Sequence, residues 1–217
     1  PNPTTEVPMP PDDRAEERLA LHAEPLPLAR PGDSLRFLLG FLRRPMTVAS
    51  VVPSSRWLTR RIAQAAVREG TRMVVELGPG TGVVTRALLE VLPRDGRVLA
   101  LELEPDFAER LAEEPDPRLL VHQGNALDLR AIVGEHRLPR VDAIVSGIPF
   151  STLGPALGED VLRAAWSVLA PGGRFVAYQF RPHVDRFATP LFGPPEVVFE
   201  PRNVPPMSVY CWHKPAH

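Results

Sequence analysis

The chain has 217 residues, 44% hydrophobic and 24% charged, which suits one globular domain of ordinary size with an added arm. A single cysteine, Cys211, excludes an internal disulfide and leaves no basis for a cysteine-built metal site, and no metal is expected. A formal net charge of -1 argues against a bulk nucleic-acid binder, and no stretch approaches the roughly 20 apolar residues of a membrane-spanning helix.

Residues 1–32 hold eight of the 27 prolines and six acids against three arginines, and read as a flexible Pro-rich acidic tail. They contain no apolar signal region, so the expected compartment is the cytoplasm. Residues 33–61 reverse the balance, with six arginines against one aspartate. Within that segment Leu35, Leu38, Leu39 and Leu42 fall at i, i+3, i+4 and i+7, flanked by Phe37 and Phe41, while Arg36, Arg43 and Arg44 share the opposite face. This spacing predicts an amphipathic helix with a basic polar side. It either docks on a membrane surface or packs as a lid on the core. A second helix follows Ser54 or Ser55, either of which would cap it, with Trp57, Leu58, Ile62 and Ala65 inward. These helices make up residues 33–69, and residues 70–217 form the main domain.

From residue 72 the pattern alternates. Strands are expected at 72–77, 97–102, 118–121, 140–146 and 173–180, and helices at 82–91, 105–113, 128–134 and 156–169. Two closing strands near 196–200 and 207–213 form a hairpin. Apolar β-branched runs between helices imply an α/β fold: a mostly parallel seven-stranded sheet with helices on both faces.

The strongest motif is Val74–Glu90, a buried strand running through Glu76 into Gly78-Pro79-Gly80-Thr81-Gly82 and then a helix. The glycines permit a tight turn and close backbone approach to a ligand at the carboxyl end of the sheet. They alternate at every second residue, so this is neither the dinucleotide fingerprint nor a P-loop. The turn resembles motif I of the class I S-adenosylmethionine-dependent methyltransferases, which implies a Rossmann-like fold and S-adenosylmethionine as cofactor. By that resemblance Glu102, with Leu103 beside it, would hold the ribose hydroxyls, Glu104 being the nearby alternative. Gly124-Asn125-Ala126 stands where the family often has Gly-Asp-Ala, and the Asn125 amide oxygen would accept from the adenine amino group.

The fourth strand ends in Ser146-Gly147-Ile148-Pro149-Phe150. Enzymes that methylate the exocyclic amine of adenine have Asn where this chain has Gly147. A conjugated amine needs its lone pair localised, whereas an aliphatic amine needs chiefly positioning. Gly147 therefore favours an aliphatic acceptor. Together with "SVVPSSRWL" and "RNVPPMSVYCW", the motifs resemble the soluble, rhizobial-type bacterial phospholipid N-methyltransferases, relatives of rRNA adenine dimethylases, from about Leu35 to Trp212. The resemblance implies stepwise methylation of phosphatidylethanolamine to phosphatidylcholine, at the inner face of the cytoplasmic membrane. It also implies that the leading helix, through Leu35, Phe37, Leu38, Phe41, Arg43 and Arg44, meets anionic and zwitterionic phospholipids.

For the cationic product, Phe150, Tyr178, Phe180 and Tyr210 are the candidate aromatic faces, Tyr178 first because it lies near the carboxyl end of the fifth strand. His183, read as a loop residue, is a candidate proton acceptor. Arg181 and Arg202 are candidates for a lipid phosphate, and Ser54, Ser55, Ile148 and Asn203 for the acceptor wall. An RNA-base methyltransferase and a small-molecule methyltransferase remain alternatives, nucleic acid being the less favoured partner.

Overall fold

The structure is a computed structural model that describes residues 54–138 and 140–216. The acidic tail and the Ser34–Arg44 helix lie outside the described residues, as does any role for Leu35, Phe37, Leu38, Phe41, Arg43 and Arg44.

The elements run α1 (Arg56–Ala66), β1 (Met73–Leu77), α2 (Val83–Val91), β2 (Arg97–Glu102), α3 (Pro105–Ala112), β3 (Leu119–Gln123), α4 (Leu129–Glu135), β4 (Val141–Ser146), α5 (Pro155–Val168), β5 (Leu169–Gln179), α6 (His183–Phe192), β6 (Glu196–Glu200) and β7 (Met207–His213). The sheet order is β3-β2-β1-β4-β5-β7-β6. The first five strands are parallel, and β7 runs antiparallel to both β5 and β6. Strand order reverses between β1 and β4, which opens a crevice at their carboxyl ends.

Alternation along each strand feeds two cores. Val74, Val98, Val145 and Val176 pack with α1 and α2 on one face. Val75, Leu77, Leu99 and Phe175 pack with α4, α5 and α6 on the other. Every residue of β1 is buried, as a central strand covered on both faces requires.

Three features depart from the sequence reading. Helix α6 replaces the expected loop. Pro190 within it costs about 3 kcal/mol of helix stability. Burial of Val184 and Ala188, with Phe187, Leu191 and Phe192 partly buried against the core, offsets this at about 1.5–3 kcal/mol per large side chain. Strand β5 begins at Leu169, because a register shift between Val141 and Ala143 of β4 absorbs the Pro-Gly-Gly segment. Trp57 and Ala65 are only partly buried, and Leu58, Ile62, Ala63 and Ala66 form the inner face of α1.

Trp57 instead carries two guanidiniums, Arg202 at 4.1 Å and Arg56 at 4.7 Å from its ring centroid. Arg202 and Arg61 both pair with the buried Glu200. The Arg202 hydrogen bond, opposed by burial and aided by Arg61, lowers the Glu200 carboxyl to about 2. The Ser55 N–H donates to Asn203 Oδ1 at 2.8 Å, and Asn203 Nδ2 donates to the Pro205 carbonyl at 2.8 Å. The turn between β6 and β7 is thereby tied to the start of α1.

Asn203→Ala strands the Ser55 N–H and is expected to lower unfolding stability by about 1–3 kcal/mol, read as a shift of the urea midpoint at constant slope.

Candidate active site

The glycine turn leaves β1 with Gly78, Gly80 and Gly82 all at positive φ (69°, 54° and 75°), a conformation that side chains strain. The turn closes on β2: Gly78 N–H donates to the Leu101 carbonyl at 2.9 Å and Gly80 N–H to Glu102 Oε2 at 2.9 Å. The other Glu102 oxygen accepts from the Leu103 and Glu104 amides at 2.8 and 3.0 Å. Pro79 accepts from Gly82 N–H, and the Thr81 carbonyl accepts from Arg86. Glu102 is thus buried, oriented by three backbone donors, and set against the turn.

Glu76, also buried, has one satisfied oxygen, which accepts from the Thr85 hydroxyl at 2.6 Å. Its Oε1 is buried with no hydrogen-bond partner. Burial raises its carboxyl to about 7, opposed by the Thr85 hydrogen bond and reinforced by Glu102. An orphaned, buried carboxylate oxygen beside a glycine turn fits a ligand carrying positive charge. At the end of β3, Gly124 N–H donates to the Glu102 carbonyl, and Asn125 Oδ1 accepts from Leu127 N–H to cap the Ala126–Asp128 turn. That amide oxygen keeps a second lone pair for an outside donor.

The end of β4 completes the crevice. Gly147 N–H donates to the Leu77 carbonyl at 2.9 Å, and buried Ser146 receives the Ile148 N–H at 3.4 Å. A Cβ on Gly147 would stand 2.5 Å from the Tyr178 hydroxyl and 2.7 Å from the Gly78 carbonyl oxygen. Gly147 is therefore a glycine for want of space. Burial, then Glu76 and Glu102, push the Tyr178 phenol well above its ordinary value, so it is a neutral hydroxyl at physiological pH. No described residue hydrogen-bonds to it. Gln179 pins the neighbouring loop, donating to the Ile148 carbonyl at 2.9 Å and accepting from Phe150 N–H at 3.2 Å.

Glu76, Gly78, Gly80, Gly82, Glu102, Leu103, Gly124, Asn125, Ala126, Ser146, Gly147, Ile148 and Tyr178 accordingly gather at the carboxyl ends of β1–β5. Several other expected roles need correction. The Phe150 ring is fully buried in the core beneath a short 3-10 turn and faces no acceptor. Tyr210 is likewise core, stacked on Trp212. His183 opens α6 and is no loop residue; its Nδ1 is buried without a partner. Ser55 spends its hydroxyl capping α1 and its N–H on Asn203, whose amide is used at both ends. Arg202 is committed to Glu200, while Arg181 and Phe180 are exposed. Sequence reasoning missed Gln179 and Thr85. Each is a buried polar side chain within an apolar run, a signal that marks an obligatory partner.

A family model described as "Methyltransferase domain" matches residues 74–173. The ornithine lipid N-methyltransferase of Singulisphaera acidiphila is 38% identical over 181 residues, 82% of this chain and 94% of that protein. This chain belongs to its family, the S-adenosylmethionine-dependent methyltransferases. The ribosomal RNA small subunit methyltransferase A of Laribacter hongkongensis is 34% identical over 125 residues, 56% of this chain and only 41% of that protein. Among solved structures, the 1,6-didemethyltoxoflavin-N1-methyltransferase of Burkholderia thailandensis, with S-adenosylhomocysteine bound, has a TM-score of 0.62 at 18% identity. It covers 88% of this chain and 93% of that one. The O-methyltransferase TomG of Streptomyces achromogenes, with the donor bound, has a TM-score of 0.59 at 17% identity over 92% and 96% of the two chains. S-adenosylmethionine is the methyltransferase's cofactor. Among the described residues no group of three or more His, Cys, Asp or Glu is placed to hold a metal.

Glu76 makes the protein pH-sensitive. A carboxyl raised from 4.5 to about 7 stabilises the fold fully below pH 4.5, and the contribution is lost as pH rises through about 7. The loss is on the order of 3 kcal/mol, read from denaturant unfolding of the ligand-free protein against Glu76→Gln, which should show no such slope. Binding of the cationic donor has the opposite sign: its affinity should rise about tenfold per pH unit up to about 7 and then level off, measured by calorimetry.

Proposed function

We propose that this methyltransferase methylates the primary aliphatic amine of a membrane-lipid headgroup, repeating the step while the nitrogen has hydrogens to lose. The observation that carries the reading is the crowding at Gly147. The corner where base-methylating relatives place an amide has no room for any side chain and presents the hydroxyl of Tyr178. A neutral hydroxyl accepts one N–H hydrogen bond and turns an amine's lone pair, which is all that an aliphatic acceptor asks. The 38% identical relative, an ornithine lipid N-methyltransferase, supports a lipid acceptor. The resemblance of the sequence motifs supports phosphatidylethanolamine. Both lipids offer a primary amine on a flexible tether beside an anionic group, and both belong in the test.

Bound S-adenosylmethionine supplies a methyl already activated on a sulfonium. Glu76 would hold the positive end of the donor, and Glu102 its ribose. Tyr178 aligns the acceptor nitrogen, which gives up one proton to water at each transfer. Glu76 and Glu102, the two carboxylates acting on Tyr178, favour the cation that grows on the nitrogen. The aromatic face of Tyr178 suits a quaternary product. The Ser34–Arg44 segment, with its apolar and basic faces, belongs to the same reading as a contact with anionic lipid at the inner face of the cytoplasmic membrane.

Incubated with the donor and vesicles of either lipid, the protein should yield lipid masses rising in methyl steps. Intact donor binding with no gain on either lipid would reject the reading and turn attention to RNA and small amines. Tyr178→Phe should lower kcat about 10–100-fold, the worth of one hydrogen bond to a reacting group, with donor affinity unchanged by calorimetry.

A further inference from the structure

The edge strand β6 is unusual in what it leaves in water. Val198 is 45% exposed and Phe199 59%, on opposite faces of the strand, with Val197 also exposed. Edge strands of freely soluble proteins are ordinarily charged or blunted, because bare apolar edges associate. Two further apolar side chains join them. Phe180, 58% exposed, directly follows Gln179, the β5 residue that shares a row with Ser208 and Phe199. Phe180 and Phe199 therefore lie about 10 Å apart across the sheet. Val204, 71% exposed, tops the turn between β6 and β7.

Topology fixes which end of the molecule this is. β7 runs antiparallel to β5, so the β6–β7 turn stands at the carboxyl end of β5. Tyr178, Gly147 and the glycine turn occupy that same end. Cationic side chains gather around the hairpin turn. Arg181 follows Phe180, Arg202 lies in the turn, Arg56 opens α1, and Arg61 lies further along it. The carboxylate of this turn, Glu200, is buried under Arg61 and Arg202. Trp57, partly exposed between two guanidiniums, adds the amphipathic aromatic that membrane interfaces favour.

We propose that Phe180, Val198, Phe199 and Val204, with Arg181 and Arg56, form a docking rim that seats the methyltransferase on an anionic phospholipid bilayer with its acceptor crevice facing the lipid. Apolar side chains enter the acyl boundary while guanidiniums meet headgroup phosphates. A second copy of the chain would bring two arginine sets together, whereas an anionic bilayer complements them. The proposal rests on the lipid-acceptor reading but is tested apart from it.

The full chain is floated with phosphatidylcholine vesicles, with and without phosphatidylglycerol, beside the triple variant Phe180→Ser, Phe199→Ser, Val204→Ser and the single variant Arg181→Glu. The wild type should bind the anionic vesicles. The triple variant should bind about tenfold more weakly or worse, at unchanged thermal midpoint and donor affinity, and Arg181→Glu should weaken binding chiefly at low salt. Methyl transfer to detergent-dispersed lipid should survive in both variants while transfer to vesicles falls. Wild-type flotation by a well-folded triple variant would overturn the rim. So would a concentration-dependent dimer that the triple variant abolishes without any change in flotation, which would make the occupant a second copy. Rim-dependent flotation without methyl gain on any lipid would support the docking surface and sink only the acceptor reading.

Discussion

Two carboxylates buried at the carboxyl ends of β1 and β2 govern the crevice. Burying a charge costs several kcal/mol unless donors surround it. Glu102 meets that demand with three backbone amides, which is why the turn after β1 must bend back on β2 and why glycines occupy it. Glu76 meets it only in part: one hydroxyl serves one oxygen, and the other oxygen has none. The ligand-free protein compensates by holding a proton there. In the proposed function a positively charged donor would replace that proton, so the same group that restrains the empty crevice would favour the filled one. Burial, reinforced by the pair, raises the Tyr178 hydroxyl above its ordinary value.

The hydroxyl in turn stands at the wall of the crevice. Ser146 pairs with Ala177 across β4 and β5, so the next residue of each strand, Gly147 and Tyr178, meet at the crevice wall. Gln179, one residue further, braces the Ile148–Phe150 loop from the opposite side of β5. One short piece of β5 thus sets both the polar group and the backbone path of that corner. The hairpin beyond it returns the chain to the same end of the sheet, where apolar and basic side chains stand together.

Much of this was legible in the sequence. The alternation of β-branched runs with helical spacing predicts the parallel sheet, and the motif places the glycine turn, Glu76 and Glu102 together at the carboxyl ends of β1 and β2, where the structure has them. These depend on neighbours close along the chain. The acceptor corner depends on distant ones. Gly147 was legible as a missing amide, but its cause, Tyr178, lies on another strand and only register brings it near. Phe150 read as an acceptor face because a 3-10 turn, too short to have a period, decides its direction. Helix α6 was hidden by Pro190, whose local penalty the core outweighs. Asn203 read as a wall residue, yet both ends of its amide are spent on Ser55 and Pro205.

The contact between Tyr178 and Gly147 also constrains how such an enzyme evolves. A side chain at position 147 and a tyrosine at position 178 exclude each other in this backbone, so exchanging one for the other takes two substitutions whose order matters. Enlarging residue 147 first drives a new Cβ into a backbone oxygen of the glycine turn as well as into the phenol, and backbone yields least. Shrinking residue 178 first leaves only an unfilled notch, a defect that a lineage tolerates while the second change arrives. Substitutions at 147 and 178 are therefore coupled, and a side chain at 147 also requires the backbone of the glycine turn to move.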